Sequence, residues 1–241
     1  RIAKSFGYAS MINARDTDSL ENIIGIIGSA GNVHQNVDFT NLVEGQRLAK
    51  SRKTEKSVCI IISKNMVSFR NSHLAWLDTY EDVVLNAIGY YQARGLKPFF
   101  LNHEGVEDRS LIDQINNALV LPLRIVEKTD PREVKGIIAA SHAVFCSRYH
   151  GCVSALSTGI PCIGTSWSHK YDSLYDDYNA REFLLHANID KAQLFKVIDA
   201  SLEFNGMDKA LLDARSIELK DQSIAMWESI KVLIDSSNGQ S

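Results

Sequence analysis

From residue 57 onward the apolar positions fall into two alternating patterns. Val58-Cys59-Ile60-Ile61-Ile62 is a continuous apolar run of strand length, rich in β-branched side chains. Val83, Val84, Ala87, Ile88 and Tyr91 then recur at the spacing of one helix face, which predicts a helix over 76–93 stopped by Gly95. The alternation continues with a strand over 98–101, a helix over 108–118 and a strand over 123–126. Asp130-Pro131-Arg132-Glu133 opens the next helix, with Asp130 as cap, Pro131 in the first position and Glu133 placed to reach back. A strand over 144–146, a helix over 150–158 ended by Gly159, and a strand over 161–165 follow, then helices over 191–203 and 208–234. Strands that lack in/out alternation and are separated by helices predict a doubly wound parallel sheet covered on both faces, built from right-handed βαβ units.

Residues 1–45 are different. They predict a helix over 2–11, a short strand over 11–14 and a helix through Leu20, Ile23, Ile24 and Ile27, capped by Asp18 or Ser19 and ended by Gly28. That is too little for an independent α/β domain, so 1–45 reads as the end of a first one. Residues 46–56 carry Arg47, Lys50, Arg52, Lys53 and Lys56 and read as a solvated linker rather than a binding patch. Residues 57–241 then form a Rossmann-like second domain. Its long last helix packs across it or back onto its neighbour.

Composition narrows the function. Apolar residues make up 45% and charged residues 23%, ordinary for a globular protein. A net charge of −3 argues against a broad grip on nucleic acid. No apolar run approaches the ~20 residues that span a bilayer. No secretory signal opens the chain, which begins at Arg1, so an upstream part is expected to precede it. Cys59, Cys146, Cys152 and Cys162 form no C-x-x-C pair, which predicts buried thiols in a reducing, cytoplasmic setting and no zinc site.

The candidate chemistry lies between a strand and a helix, at Ser147-Arg148-Tyr149-His150-Gly151. A helix start offers unpaired N–H groups and partial positive charge, a guanidinium adds a planar fork, and an imidazole moves protons near neutral pH. Ligands of open α/β sheets sit at strand carboxyl ends, which raises this pair above an ordinary surface ion pair and a half-buried histidine.

These residues, with Ser154-Ala155-Leu156, Gly159-Ile160-Pro161 and His169-Lys170-Tyr171, resemble the polysaccharide pyruvyl transferase family. Arg15-Asp16-Thr17-Asp18-Ser19, Val37-Asp38-Phe39 and Asn102-His103-Glu104 with Asp108 agree with it. The resemblance runs from about residue 10 to about residue 200. It implies a two-domain fold like that of GT-B glycosyltransferases, with the active site between the halves. It also implies transfer of a pyruvyl group from phosphoenolpyruvate to a sugar of a cell-surface glycan, an exopolysaccharide or its precursor. The family's first domain is larger than the 45 residues here.

On that basis Arg148 is expected to clamp phosphate or carboxylate, and Gly151 to contact the substrate. His150 is expected to act as general acid or base. Lys170, on the loop after the fifth strand, is a second anion contact with His169 beside it. His103 and Glu104 would bind substrate hydroxyls or hold His150 in one tautomer, and Lys64 reaches the same rim. Plainer roles compete: Lys170 as a surface lysine, Glu104 as a helix-start acid, Arg15-Asp16 as a structural ion pair, Cys152 as a packed small residue, and Trp167 and Tyr171 as packing aromatics rather than a sugar platform. No metal or cofactor is expected beyond the donor substrate. The partners are phosphoenolpyruvate and a glycan or lipid-linked acceptor, reached at the inner membrane face by peripheral association. A nucleotide-sugar glycosyltransferase, with Asp172 or Asp176 on a ribose, and a non-catalytic carbohydrate-binding relative are the alternatives.

Overall fold

The structure, a computed structural model, describes residues 2–28, 31–46 and 56–238. Most of the predicted basic linker, with Arg47, Lys50, Arg52 and Lys53, lies outside the described residues. By contacts the chain divides into one unit of Arg1–Leu42 with Ile217–Ser241 and a second of Val43–Ser216.

The smaller unit opens with α1 (Ile2–Phe6), shorter than the expected 2–11 helix, then β1 (Ile12–Ala14), α2 (Thr17–Ile27) and β2 (Val33–Gln35). The cap of α2 is Asp16, not Asp18 or Ser19: its carboxylate accepts from Ser19 N at 2.7 Å. Gly28 ends the helix at φ 69° and donates to Ile24 O at 2.8 Å. The strand β2 was not expected; it pairs in parallel with β1.

The larger unit holds a six-stranded sheet. In chain order its elements are β3 (Ser57–Ile61), α3 (Trp76–Ala93), β4 (Lys97–Asn102), α4 (Gly105–Ala118), β5 (Ile125–Glu127), α5 (Pro131–Ala139), β6 (Ala143–Cys146), α6 (Tyr149–Leu156), β7 (Cys162–Thr165), α7 (Lys170–Asp177), β8 (Leu184–Leu185), α8 (Lys191–Leu202) and the start of α9 (Gly206–Asn238). A 3-10 turn at Lys64–Val67 follows β3. The spatial order is β5-β4-β3-β6-β7-β8 and every pairing is parallel. The order reverses between β3 and β6, which is where open α/β sheets bind ligands. Val58 to Ile61 and Val144 to Cys146 are wholly inaccessible, so the missing alternation records burial on both faces.

Asp130 caps α5 as expected, accepting from Arg132 N at 2.8 Å, whereas Glu133 turns to Lys128 Nζ at 2.8 Å instead of reaching back. The residues of α9 from Ile217 on cluster with the N-terminal segment. There Asn41 Nδ2 donates to Leu219 O at 3.1 Å, and Phe39 meets Trp227 edge to face at 5.5 Å. No helix among the described residues is long and apolar enough to cross a membrane.

One close approach fixes the packing of α7 on β7. A Cβ on Gly164 would lie 2.2 Å from the Tyr175 hydroxyl and 2.5 Å from the ring carbon bearing it. Gly164→Ala should therefore lower the urea midpoint by an amount equivalent to about 1–3 kcal/mol. Gly89→Ala, at an exposed α3 position with open space over its Cα, should raise it by about 0.5–1 kcal/mol.

Candidate active site

The turn from β6 to α6 rests on one serine. Ser147 N donates to Ile61 O at 2.8 Å, extending the ladder to β3. The Ser147 hydroxyl shares a 2.5 Å hydrogen bond with the Tyr80 hydroxyl and accepts from Thr165 Oγ1 at 2.7 Å. Its carbonyl accepts from Tyr171 Oη at 2.9 Å. Each polar atom of Ser147 is thereby used, as burial demands. Burial pushes the Tyr80 and Tyr171 hydroxyls up in pKa and keeps them as donors. Gly151 closes the turn from behind: a Cβ there would lie 2.6 Å from Cys146 Sγ.

Arg148 emerges from this base and meets two carboxylates. Asp108, fully buried on α4, takes both arms of the fork: Nε to Oδ2 at 2.7 Å and Nη2 to Oδ1 at 2.6 Å. Oδ1 also accepts from Lys64 N at 2.9 Å. Glu104 contacts the remaining edge through Nη1, and its side chain is 64% exposed against 14% for Arg148. Burial works against the guanidinium's charge, but the Asp108 hydrogen bonds and the charges of Asp108 and Glu104 outweigh it and raise its pKa. Glu104 occupies the cap position of α4 without capping it, so its carboxylate serves Arg148.

His103 is half-buried beside this cluster, and its Nδ1 is buried without a hydrogen-bond partner. Burial, then the positive charge of Arg148, holds its pKa below the ordinary histidine range. The charge of His150 acts on it in the same sense, and the carboxylates of Glu104 and Asp108 oppose it. His150 is exposed in the first turn of α6, its ring edge to face with Tyr149 at 5.4 Å.

Arg148, Glu104, His103 and His150 thus share one cluster at the ends of β4 and β6, and Lys64 joins it through its backbone. Lys170 is placed differently from the expectation. It is the first residue of α7, not a loop residue, and its ammonium stands over the rings of Trp167 at 4.6 Å, Tyr149 at 5.1 Å and Tyr171 at 5.8 Å. His169 is exposed at the cap position of the same helix. Tyr171 is fully buried and packs; it offers no sugar platform. Asp172 and Asp176 both pair with Arg181, at 2.7 and 3.1 Å. All four cysteines are reduced and buried, Cys152 among them. Among the described residues no cluster suits a metal ion. In the N-terminal unit Arg15 Nη1 contacts Asp38 Oδ2 at 3.4 Å, and its Nε lies 3.8 Å from Asp16 Oδ2.

Three contributors had no role in the sequence reading. Asp108 carried no assigned role, although its i, i+4 spacing from Glu104 puts both acids on one helix face. The partners of Ser147, Tyr80 and Thr165, have no local signal.

A model of the polysaccharide pyruvyl transferase family matches residues 1–169. The chain belongs to the polysaccharide pyruvyl transferase family. No curated protein sequence matches closely enough to add a named relative of this pyruvyl transferase family member. Among solved structures it is similar to a UDP-forming trehalose-phosphate synthase from Burkholderia xenovorans, with a TM-score of 0.58 at 10% identity over 96% of this chain and 62% of the other. It is similar also to a UDP-GlcNAc 2-epimerase from Methanocaldococcus jannaschii, with a TM-score of 0.57 at 12% identity over 87% of this chain and 60% of the other. The family member therefore has the parallel α/β fold of GT-B glycosyltransferases and spans about three fifths of these chains.

The two acids on Arg148 predict different mutational costs. Asp108→Ala strands a mostly buried guanidinium and should destabilise by about 2–4 kcal/mol, whereas Glu104→Ala, at an exposed pair, should cost under about 1 kcal/mol in the same urea titration. His103 predicts a pH dependence. Its folded pKa lies below the unfolded value of 6.5, so the unfolded chain takes up the proton first and stability falls as pH drops below that value. Midpoints measured between neutral and mildly acidic pH should fall less steeply in His103→Gln.

Proposed function

We propose that this protein transfers the pyruvyl group of phosphoenolpyruvate to two hydroxyls of a sugar in a cell-surface glycan or its lipid-linked precursor. The enol carbon forms two C–O bonds to the sugar while its bond to the phosphate oxygen breaks. One hydroxyl proton ends on the former alkene CH2, making it CH3, and the other on the departing phosphate.

The observation that supports this reading is the asymmetric pairing of Arg148. Asp108 is inaccessible and holds the fork from behind, while Glu104 is exposed and covers the outer edge. An incoming phosphate or carboxylate replaces Glu104 on that edge and leaves Asp108 in place. The start of α6 adds its partial positive charge from the same side. In this reading His150 carries the proton to the alkene carbon, and neutral His103 receives one from a hydroxyl. Lys170, ringed by aromatic faces, adds positive charge on the α7 side. No step in this scheme calls on a metal or a cofactor.

Thermal unfolding tests the donor. Phosphoenolpyruvate at a hundred times its Kd should stabilise the protein by about 2.7 kcal/mol, and Arg148→Ala should remove the shift. Arg148→Lys should lose most of it, because a point charge does not reproduce the fork. His150→Ala should keep the shift yet slow phosphate release in the presence of lipid-linked sugar by roughly 10²–10⁴-fold. Stabilisation by UDP and not by phosphoenolpyruvate would replace this reading with the nucleotide-sugar one.

A further inference from the structure

At the opposite end of the sheet from Arg148 lies a cavity of about 350 Å³. Pro161 lines it just ahead of β7, whereas Arg148 follows β6; the two strands run parallel, so these residues stand at opposite strand ends. The helix α6 runs from one place to the other: Arg148 is its cap, and Leu156, its last residue, lines the cavity. The turn after α7, the last turn of α8 and the first turns of α9 complete the wall. All of these residues belong to the larger unit. The volume lies at the lower end of the ~300–1,000 Å³ of small-molecule clefts.

The wall joins aromatic rings to negative charge. Tyr178, Phe183 and Phe204 supply the rings, the last two edge to face at 5.7 Å. Glu182 and Asp208 supply two carboxylates, and no lysine or arginine lines the space. Among the described residues neither carboxylate has an ion-pair or side-chain hydrogen-bond partner. The cations adjacent in sequence are bonded elsewhere: Arg181 to Asp172 and Asp176, Lys209 to Asp213, and Arg215 to the Asp177 carbonyl. The helices α6, α7 and α8 all end at this cavity, and a helix carboxyl end carries partial negative charge. The start of α9 carries the opposite sign, and Asp208 stands in its first turn.

This charge is unbalanced, unlike that around Arg148, where Asp108 and Glu104 answer the guanidinium. Two carboxylates without a counter-charge repel phosphate and carboxylate ligands and attract a cation. Aromatic faces attract the same cation through their quadrupoles. Among the described residues no cluster suits a metal ion, and Leu211 and Leu212 extend the wall with apolar surface. Such a wall favours a charged group that carries an apolar body over a bare hydrated ion.

We infer that this cavity binds a small organic cation, an ammonium group joined to an aromatic or aliphatic body. Glu182, Asp208 and the aromatic rings hold the head, and Leu211 and Leu212 pack on the body. The site is separate from the Arg148 cluster and does not rest on the function proposed above.

Saturation-transfer NMR on the protein with benzyltrimethylammonium, phenethylammonium and 3-phenylpropanoate tests it. At least one of the two cations should receive saturation, and the anion, which has a similar body, should receive none. Tighter binding of the quaternary head assigns the selection to the rings, and tighter binding of the primary one assigns it to the carboxylates. Glu182→Gln, at an exposed position, should weaken the bound cation about two- to fivefold, as should Asp208→Asn. Phe204→Leu should weaken it about fivefold through the lost ring face. Ala200→Trp, which fills the cavity from α8, should abolish the transfer. The two charge-removing variants decide the matter if either of the others does not fold. Absence of transfer to both cations, equal transfer to 3-phenylpropanoate, or binding indifferent to the folded variants overturns the proposal.

Discussion

A buried carboxylate needs a counter-charge, and Asp108 has one geometry that provides it. Its two oxygens meet the two arms of the Arg148 fork, and one of them also accepts the Lys64 amide. The residues following β3, the first turn of α4 and the residues following β6 are thereby tied to one carboxyl group. Removing any tie leaves charge or a polar group without compensation in a place water does not reach. The position of Arg148 is therefore settled before any ligand arrives, and preorganised donors are the ones that contribute most to binding and catalysis.

Exposure rises outward from this pair in steps, and so does the freedom to exchange partners. Ser147 lies at the bottom with each polar atom bonded, inaccessible to solvent. Asp108 is equally buried. Arg148 is slightly open, and Glu104 and His150 face solvent. The inner layers are held by full hydrogen-bond satisfaction. In the outer layer, water competes for each contact, so each contributes little. Gly151 belongs to the inner layers: its bare Cα lets the first turn of α6 sit against Cys146 and Ile61, which brings Arg148 and His150 to the rim together.

The strands and helices that form the sheet were legible because their apolar runs are long and their stops are explicit. Val58 to Ile62 and the 76–93 face leave little choice, and Gly95 and Gly159 end their helices at φ 73° and 69°. Two-residue β8 has no period to read. The helix α7 was missed because Trp167 to Tyr171 reads as a loop of bulky residues. The R-x-H placement was visible because it needs only a strand before it and a helix after it. The partners of Arg148 were harder: Glu104 and Asp108 lie 44 and 40 residues away, and nothing local says which cation two acids on one helix face will meet. Lys170 shows the same limit. Its neighbours Trp167 and Tyr171 are adjacent in sequence, but the third ring comes from Tyr149, on another helix.

The loop from Asn102 to Gly105 joins two sets of ion pairs. On one side Arg148 is held by Asp108 and Glu104. On the other, Arg109 and Lys128 are neutralised by Glu127, Glu133 and Asp113. His103 is the residue common to the two sides, and its environment keeps it uncharged. A cationic imidazole there would be partly cut off from water and would face the charge of Arg148, and both disfavour it. Burial of His103 and the nearness of Arg148 accordingly act in one direction: both hold the imidazole neutral between two sets of paired charges.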